Sequence, residues 1–236
     1  MNFYTNVQCL GNTILYRGIV GGERVTIRKE YEPSLFIRSK YGNFRTLEGH
    51  VLEEHKFDSI RDARDFIKRF DDVHGGPKIY GNTRFEYALI CDEHPGTIEW
   101  NRDNVDIAVI DIEVGSENGF PDPYEANEPI TAITWKNIGS KTHVWGCGDF
   151  NIENPNEVIY HQCKDEWTLC RSFLNLWEQR TPDVITGWNT KFFDIPYLVN
   201  RFSKILGEKE VKSLSPWRII SNREVHSNNR TLIAYE

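Results

Sequence analysis

Four consecutive apolar residues, Ile107 to Ile110, run into Asp111-Ile112-Glu113, and this run constrains the chain more than any other segment. Such a run suits a strand buried on both faces of a sheet. Acidic groups at its end are costly there unless they are exposed, hydrogen-bonded or neutralised by a cation. Side chains at i and i+2 share a strand face, so Asp111 and Glu113 point the same way. Two hard oxygen donors on one face suit Mg²⁺ or Mn²⁺ better than a soft metal. A strand that merely runs out into solvent shows the same pattern, so the rest of the chain has to decide.

At 236 residues there is room for one large or two modest globular domains. A net charge of −7 gives no overall basic footprint. Nucleic-acid binding would therefore need a local basic patch, or metal ions to offset the carboxylates. The 13 Phe, 10 Tyr and 7 Trp are core material first and stacking surfaces for bases second. Cys9, Cys91, Cys147, Cys163 and Cys170 are scattered, with no C-x-x-C pair, and no secretory leader is visible at Met1, which points to a reduced cytosolic protein. His143, Cys147, His161 and Cys163 fit no common zinc spacing and are expected to be ordinary strand residues. No apolar stretch approaches bilayer-spanning length, so no membrane partner is expected.

The first hundred residues read as β-rich, with strands at Phe3 to Val7, Thr13 to Val20 and Arg24 to Tyr31 and a hairpin signal at Gly21-Gly22. One helix interrupts them. Ser59 is its cap, Ile60, Ala63, Ile67 and Phe70 form its apolar stripe, and His74-Gly75-Gly76-Pro77 ends it. Its Arg61, Arg64, Lys68 and Arg69 alternate with acids, as on a solvated face. Asp92 to Gly96 reads as a turn, and the pattern changes near Trp100 to Asn104. We expect a smaller β-rich α+β domain over 1–103 and an α/β domain over 104–236. The second should hold a core strand (105–114), a Pro-rich loop, strands near 130–136, 142–146 and 157–160, and a helix capped by Asp165. A short strand (183–188) and a second helix through Leu206, stopped by Gly207, follow it.

Gly187 to Tyr197 lies between that short strand and the second helix, where open α/β folds place ligands. Asp194 could be only a helix cap there and Asn189 only a turn former. Taken together, however, a strand ending in Asp-Ile-Glu, followed some eighty residues later by Thr186-Gly187-Trp188-Asn189 and Phe193-Asp194-Ile195-Pro196-Tyr197, resembles the first two exonuclease motifs of family B DNA polymerases. The resemblance narrows to the T-even-type bacteriophage enzymes through Pro33-Ser34-Leu35-Phe36, Ala63-Arg64-Asp65, Phe120-Pro121-Asp122-Pro123, Asn175-Leu176-Trp177-Glu178-Gln179 and Ile205-Leu206-Gly207-Glu208, all in order. It covers almost the whole chain.

That resemblance implies an N-terminal domain followed by a ribonuclease H-like 3′→5′ proofreading exonuclease domain, acting on primer-template DNA and its single-stranded 3′ end in the cytoplasm of an infected bacterial cell. It implies two divalent ions, Mg²⁺ or Mn²⁺. Asp111 would bridge them, Glu113 would help hold the ion that carries the attacking water, and Asp194 would support the second ion through bound water. Asn189 and Phe193 would shape the slot for the frayed 3′ end, and Phe120 would stack on a base.

The family's third motif, Tyr-x-x-x-Asp, is absent, as are the polymerase domains. Tyr235 has no aspartate after it, and Glu224 and Glu236 are the only nearby carboxylates that could replace one. The chain would then be either one part of a naturally split polymerase completed by a C-terminal chain or a cut fragment, and beginning at Met1 and ending inside a domain favours the natural break. The segment from Pro216 to Glu236 could form the strand-separating hairpin of related polymerases, and apolar surface is expected to be exposed near 225–236. Two rival readings are a non-catalytic nucleic-acid-binding or assembly module, and a free-standing nuclease with an altered third ligand.

Overall fold

The computed structural model describes residues 2–71, 78–117, 119–227 and 230–235. The chain divides into two compact units, Met1–Arg102 and Asp103–Glu236.

The first unit opens with β1 (Phe3–Leu10), β2 (Thr13–Val20) and β3 (Glu23–Lys29), an antiparallel meander. Gly21 and Gly22 join β2 to β3 with φ of +63° and +91°, the left-handed backbone that a tight two-residue hairpin requires at both positions. A second antiparallel sheet contains β4 (Ser34–Arg38), β5 (Phe44–Arg45), β6 (Val51–Lys56) and β7 (Ile79–Tyr80) in the order β5-β6-β4-β7. Between β6 and β7 runs α1 (Ile60–Asp71). Ser59 Oγ accepts from Asp62 N (3.2 Å) and donates to Asp62 Oδ2 (2.6 Å) at its start. The segment read as ending α1, His74 to Pro77, lies outside the described residues. A further helix, α2 (Phe85–Glu93), occupies a stretch whose sequence suggested only a turn at its end. Its N-cap, Arg84, makes no side-chain cap bond, so the strongest start signal is missing. Ile14, Tyr16, Leu35, Ile60, Ala63, Phe85 and Leu89 form the core of this unit.

The second unit contains β8 (Ile107–Val114), β9 (Ile130–Asn137), β10 (Thr142–Gly146), β11 (Val158–Gln162), α3 (Glu166–Gln179), β12 (Val184–Thr186), α4 (Asp194–Leu206), α5 (Glu208–Val211), β13 (Asn222–Ser227) and β14 (Arg230–Tyr235). Five of its strands make one mixed sheet in the order β11-β10-β9-β8-β12. The outer pairs, β10 with β11 and β8 with β12, are parallel, and the inner pairs are antiparallel. Asp165 caps α3 by accepting from Thr168 N at 2.8 Å, and Gly207 ends α4 at φ +99°. Leu169, Cys170, Phe173 and Trp177 of α3 and Tyr197, Leu198 and Phe202 of α4 pack with Ala108, Ile110, Ile112, Trp135 and Trp145 of the sheet. Burying each large side chain contributes about 1.5–3 kcal/mol. The three core indoles also keep their N–H groups paired, to Asn137 Oδ1 (Trp135), Ser172 Oγ (Trp145) and Leu214 O (Trp177). The unit is thus a mixed α/β structure, a mixed sheet with flanking helices.

Two expectations are corrected. β8 is not covered on both faces. Its residues alternate, with Ala108, Ile110 and Ile112 buried and Val109 exposed on the same face as Asp111 and Glu113. Nor is a large apolar side chain fully exposed at 225–236 among the residues whose burial is described, where Val225, Leu232 and Ile233 are half-buried. Ala234 is fully buried and Tyr235 packs against the core, because β14 lies against α4. Among the exposed apolar side chains of this unit are Val184 and Ile185 on β12, an edge strand of the five-stranded sheet, with Val109 on the neighbouring β8 and Trp188 just beyond.

Candidate functional site

β12 is short, and this shortness builds the site. It pairs with β8 only as far as Thr186 opposite Val109, so the next residues of β8 lack a strand neighbour on that side. The chain then turns away at Gly187, where a Cβ would lie 2.4 Å from Ile110 O and 2.3 Å from Thr190 Oγ1, so only glycine fits without displacement. Asn189 adopts a left-handed φ of +56°, and its carbonyl accepts from the amides of Phe192 and Phe193. These contacts deliver Asp194 to the first turn of α4.

Asp194 is not the N-cap. Phe193 occupies that position without a side-chain cap, and the Asp194 carboxylate turns to the sheet, where Oδ1 accepts from Ile112 N at 3.1 Å. It thereby satisfies the amide that β12 leaves open. Asp194 is 2 % exposed, whereas Asp111 and Glu113 lie on the exposed face of β8, on either side of Ile112. Burial pushes the Asp194 carboxyl up to about 6, against the pull of its backbone hydrogen bonds, and the negative charges of Asp111 and Glu113 push in the same direction. Three carboxylates therefore converge electrostatically on one end of β8. Their donor chemistry and their mutual repulsion suit a hard divalent cation. Among the described residues, however, no three acidic, His or Cys side chains are already assembled around a metal position. Glu224, weighed above as a substitute, sits exposed on β13 with His226 Nε2 3.9 Å away, and Glu236 lies outside the described residues.

Beside the carboxylates is an aromatic row. Phe193 packs against Tyr197 (centroids 5.8 Å apart) and against Phe120 (5.5 Å), and Phe120 is 88 % exposed. Phe120 belongs to the loop that leaves β8 after Val114, and sequence reasoning did not foresee how firmly this loop is held. Arg201 grips Glu166 with two bonds of 2.7 Å and donates to the carbonyls of Ala126 and Asn127. Tyr197 Oη donates to Glu128 O, and Lys204 to Glu125 O and to Asn127 Oδ1. All the gripping groups except Glu166 come from α4, the helix that Asp194 begins.

His143 and His161 meet at the other end of the sheet, with Nδ1 and Nε2 3.0 Å apart and Trp145 stacked on His161. Burial lowers both imidazoles from their ordinary value. Cys163 donates to His161 O, and all five cysteines are free thiols. No helix among the described residues is long and apolar enough to cross a membrane.

The unit is a mixed α/β domain with carboxylates gathered at one strand end, an arrangement that fits the family found by comparison. Residues 78–236 match the family described as DNA polymerase family B, exonuclease domain, and the chain belongs to that family. It is 33 % identical to the DNA-directed DNA polymerase of Escherichia phage RB69 over 92 % of this chain and 27 % of the relative. Against the DNA-directed DNA polymerase of Enterobacteria phage T4 the identity is 33 %, over 91 % of this chain and 26 % of the relative. The DNA polymerase catalytic subunit of Equine herpesvirus 2 is 28 % identical over 64 % of this chain and 16 % of the relative. The chain thus spans about a quarter of the length of the phage polymerases it matches.

Proposed function

We propose that the chain is the N-terminal part of a phage replicative DNA polymerase and carries most of a two-metal 3′→5′ proofreading exonuclease site. In this reading residues 104–236 form a ribonuclease H-like domain, preceded by a β-rich domain over 1–103. The observation that carries it is the anchoring of Asp194 to Ile112 N, which brings the carboxylates of the two separated motifs to one end of β8. Asp111 and Glu113 offer open oxygen donors on the exposed strand face, and Asp194 contributes a buried one from α4. When bound, two Mg²⁺ or Mn²⁺ ions would supply an activated water and stabilise the departing 3′ oxygen. Phe120 and Phe193 offer a stacking surface for the terminal bases, and Asn189 holds the turn that shapes the slot beside them.

A C-terminal chain completes this site in our reading. The support is the open edge of β12, where Val184 and Ile185 are exposed beside Val109. An unpaired edge with exposed apolar side chains is a surface on which a further strand can add. The deciding experiment follows Mn²⁺-dependent degradation of single-stranded DNA from its 3′ end, by this chain alone and after mixing with a complementary C-terminal fragment. Degradation only on mixing is the expected result. Degradation by the chain alone would make it a free-standing nuclease, and none in either case would leave a nucleic-acid-binding or assembly module. Asp111→Ala must abolish whatever activity is seen.

A further inference from the structure

The β13–β14 hairpin is tied to the loop carrying Phe120 by two separate routes. In the first, Ile233 N donates to Tyr124 Oη at 2.9 Å. Ile233 faces Glu224 in the hairpin register, and its amide points outward to the loop. In the second, Tyr235 Oη donates to Asn200 Oδ1 (2.8 Å), while Asn200 Nδ2 donates to Pro123 O (2.9 Å). Asn200 thus uses both ends of its amide, one on the hairpin and one on the loop, and it stands on α4 behind Asp194. Pro123 and Tyr124 lie close to Phe120 in a stiff turn, because Asp122 Oδ1 accepts from Tyr124 N and Asp122 O from Ala126 N. Movement of β14 must therefore break these bonds or carry the turn with it.

We propose that Tyr124 and Asn200 are positioning residues that lock the β13–β14 hairpin to the Phe120 loop, so that the hairpin's position sets the aromatic slot for the DNA 3′ end. The inference rests on the exonuclease reading above. Neither residue touches the reacting atoms. Each acts through the loop, and together they make the hairpin a sensor whose displacement reaches Phe120 and Phe193.

Amide hydrogen exchange on the full chain tests the lock without requiring catalysis, and anisotropy of a 3′-ended single-stranded oligonucleotide in Ca²⁺ tests its effect on DNA. Tyr124→Phe removes the acceptor for Ile233 N while keeping the ring. It should speed exchange about 3-fold or more in both 119–128 and β14, leave α3 and the thermal midpoint unchanged, and weaken oligonucleotide binding. Asn200→Asp keeps the acceptor for Tyr235 but loses the donor to Pro123 O, so it should loosen the loop and add to the Tyr124→Phe effect. A response to Tyr124→Phe confined to the loop or to the hairpin overturns the lock, as does unchanged DNA affinity when both segments loosen. If the wild type and Phe120→Ala bind the oligonucleotide equally, the slot itself is wrong. The exchange arm then still decides whether the two segments are coupled.

Discussion

Asp111 and Glu113 stand on the open face of β8, while Asp194, at the start of α4, is 2 % exposed with an oxygen already engaged by Ile112 N. The Asp111 and Glu113 side chains are open to ligands and stand outside the core, although the strand that carries them pairs with β9 and turns Ile112 inward. The helix start is committed to the fold, and its ionisation is opposed by burial and by the two strand carboxylates. The proposed site thus joins two exposed carboxylates to one that the fold accommodates at a cost. That division makes the two regions separable by mutation, since stability and activity should respond in different proportions on each side.

The largest effect is expected on the strand side. Asp111→Ala should reduce 3′ degradation by the completed enzyme by about 10³-fold or more, equivalent to roughly 4 kcal/mol of transition-state stabilisation. Its unfolding free energy should stay within about 0.5 kcal/mol of wild type, because the side chain is exposed. A large stability loss would show that the strand end is structural after all. Asp194→Asn, on the helix side, should change stability as well. The folded carboxyl is raised to about 6, above its value in an unfolded chain, so the native state holds the proton more tightly. Its stabilising contribution is fully present below pH ~4 and is lost as pH rises through about 6, a change of roughly 3 kcal/mol. Denaturant titrations at pH 4 and 7.5 should therefore show the metal-free wild type losing stability that Asp194→Asn keeps, and Mg²⁺ should restore it in the wild type alone. Equal pH dependence in both proteins would remove Asp194 from the electrostatic account.

Gly187→Ala tests the turn that joins the two regions. Its Cβ would meet Ile110 O and Thr190 Oγ1 far inside contact distance, so the 188–194 segment must shift. We expect a loss of about 2 kcal/mol in unfolding free energy, together with lower activity. Activity lost in step with stability would place Gly187 between the two regions, and neither loss would mean that the turn relaxes freely.

What could be read from the sequence was local chemistry. The Gly21-Gly22 turn, the Asp165 cap and the Gly207 stop are each specified within a few residues, and the structure has all three. α2 was missed because its apolar residues make no clean stripe and its first turn has no cap. The apolar run of β8 misled because length alone does not say how many faces are covered. Burial on one face was decided by β12 and by helices more than fifty residues away. Asp111, Glu113 and Asp194 were visible as residue types suited to a hard cation. That Asp194 would serve β8 rather than cap its own helix depends on a contact across 82 residues, and the Tyr124 tie to Ile233 spans 109. Neither leaves a periodic trace in the sequence.

Phe120 gives the smallest expected effect and the finest probe of the comparison. It belongs to the open side by exposure, yet its ring rests on Phe193, the N-cap residue just before Asp194 and α4. Phe120→Ala removes a ring that already faces solvent, so unfolding free energy should change by less than about 0.5 kcal/mol. Stacking of one base on an aromatic ring is worth roughly 1–3 kcal/mol, and partial exposure favours the lower end. Binding of a 3′-ended single strand in Ca²⁺ should then weaken about five-fold, as 1 kcal/mol requires. The deficit should be the same in the Asp111→Ala background, because stacking and carboxylate chemistry act on different parts of the nucleotide. A stability loss of the size expected for Gly187→Ala would instead make Phe120 a cover for Phe193, and the aromatic row would then belong to the helix side of the site rather than to the DNA.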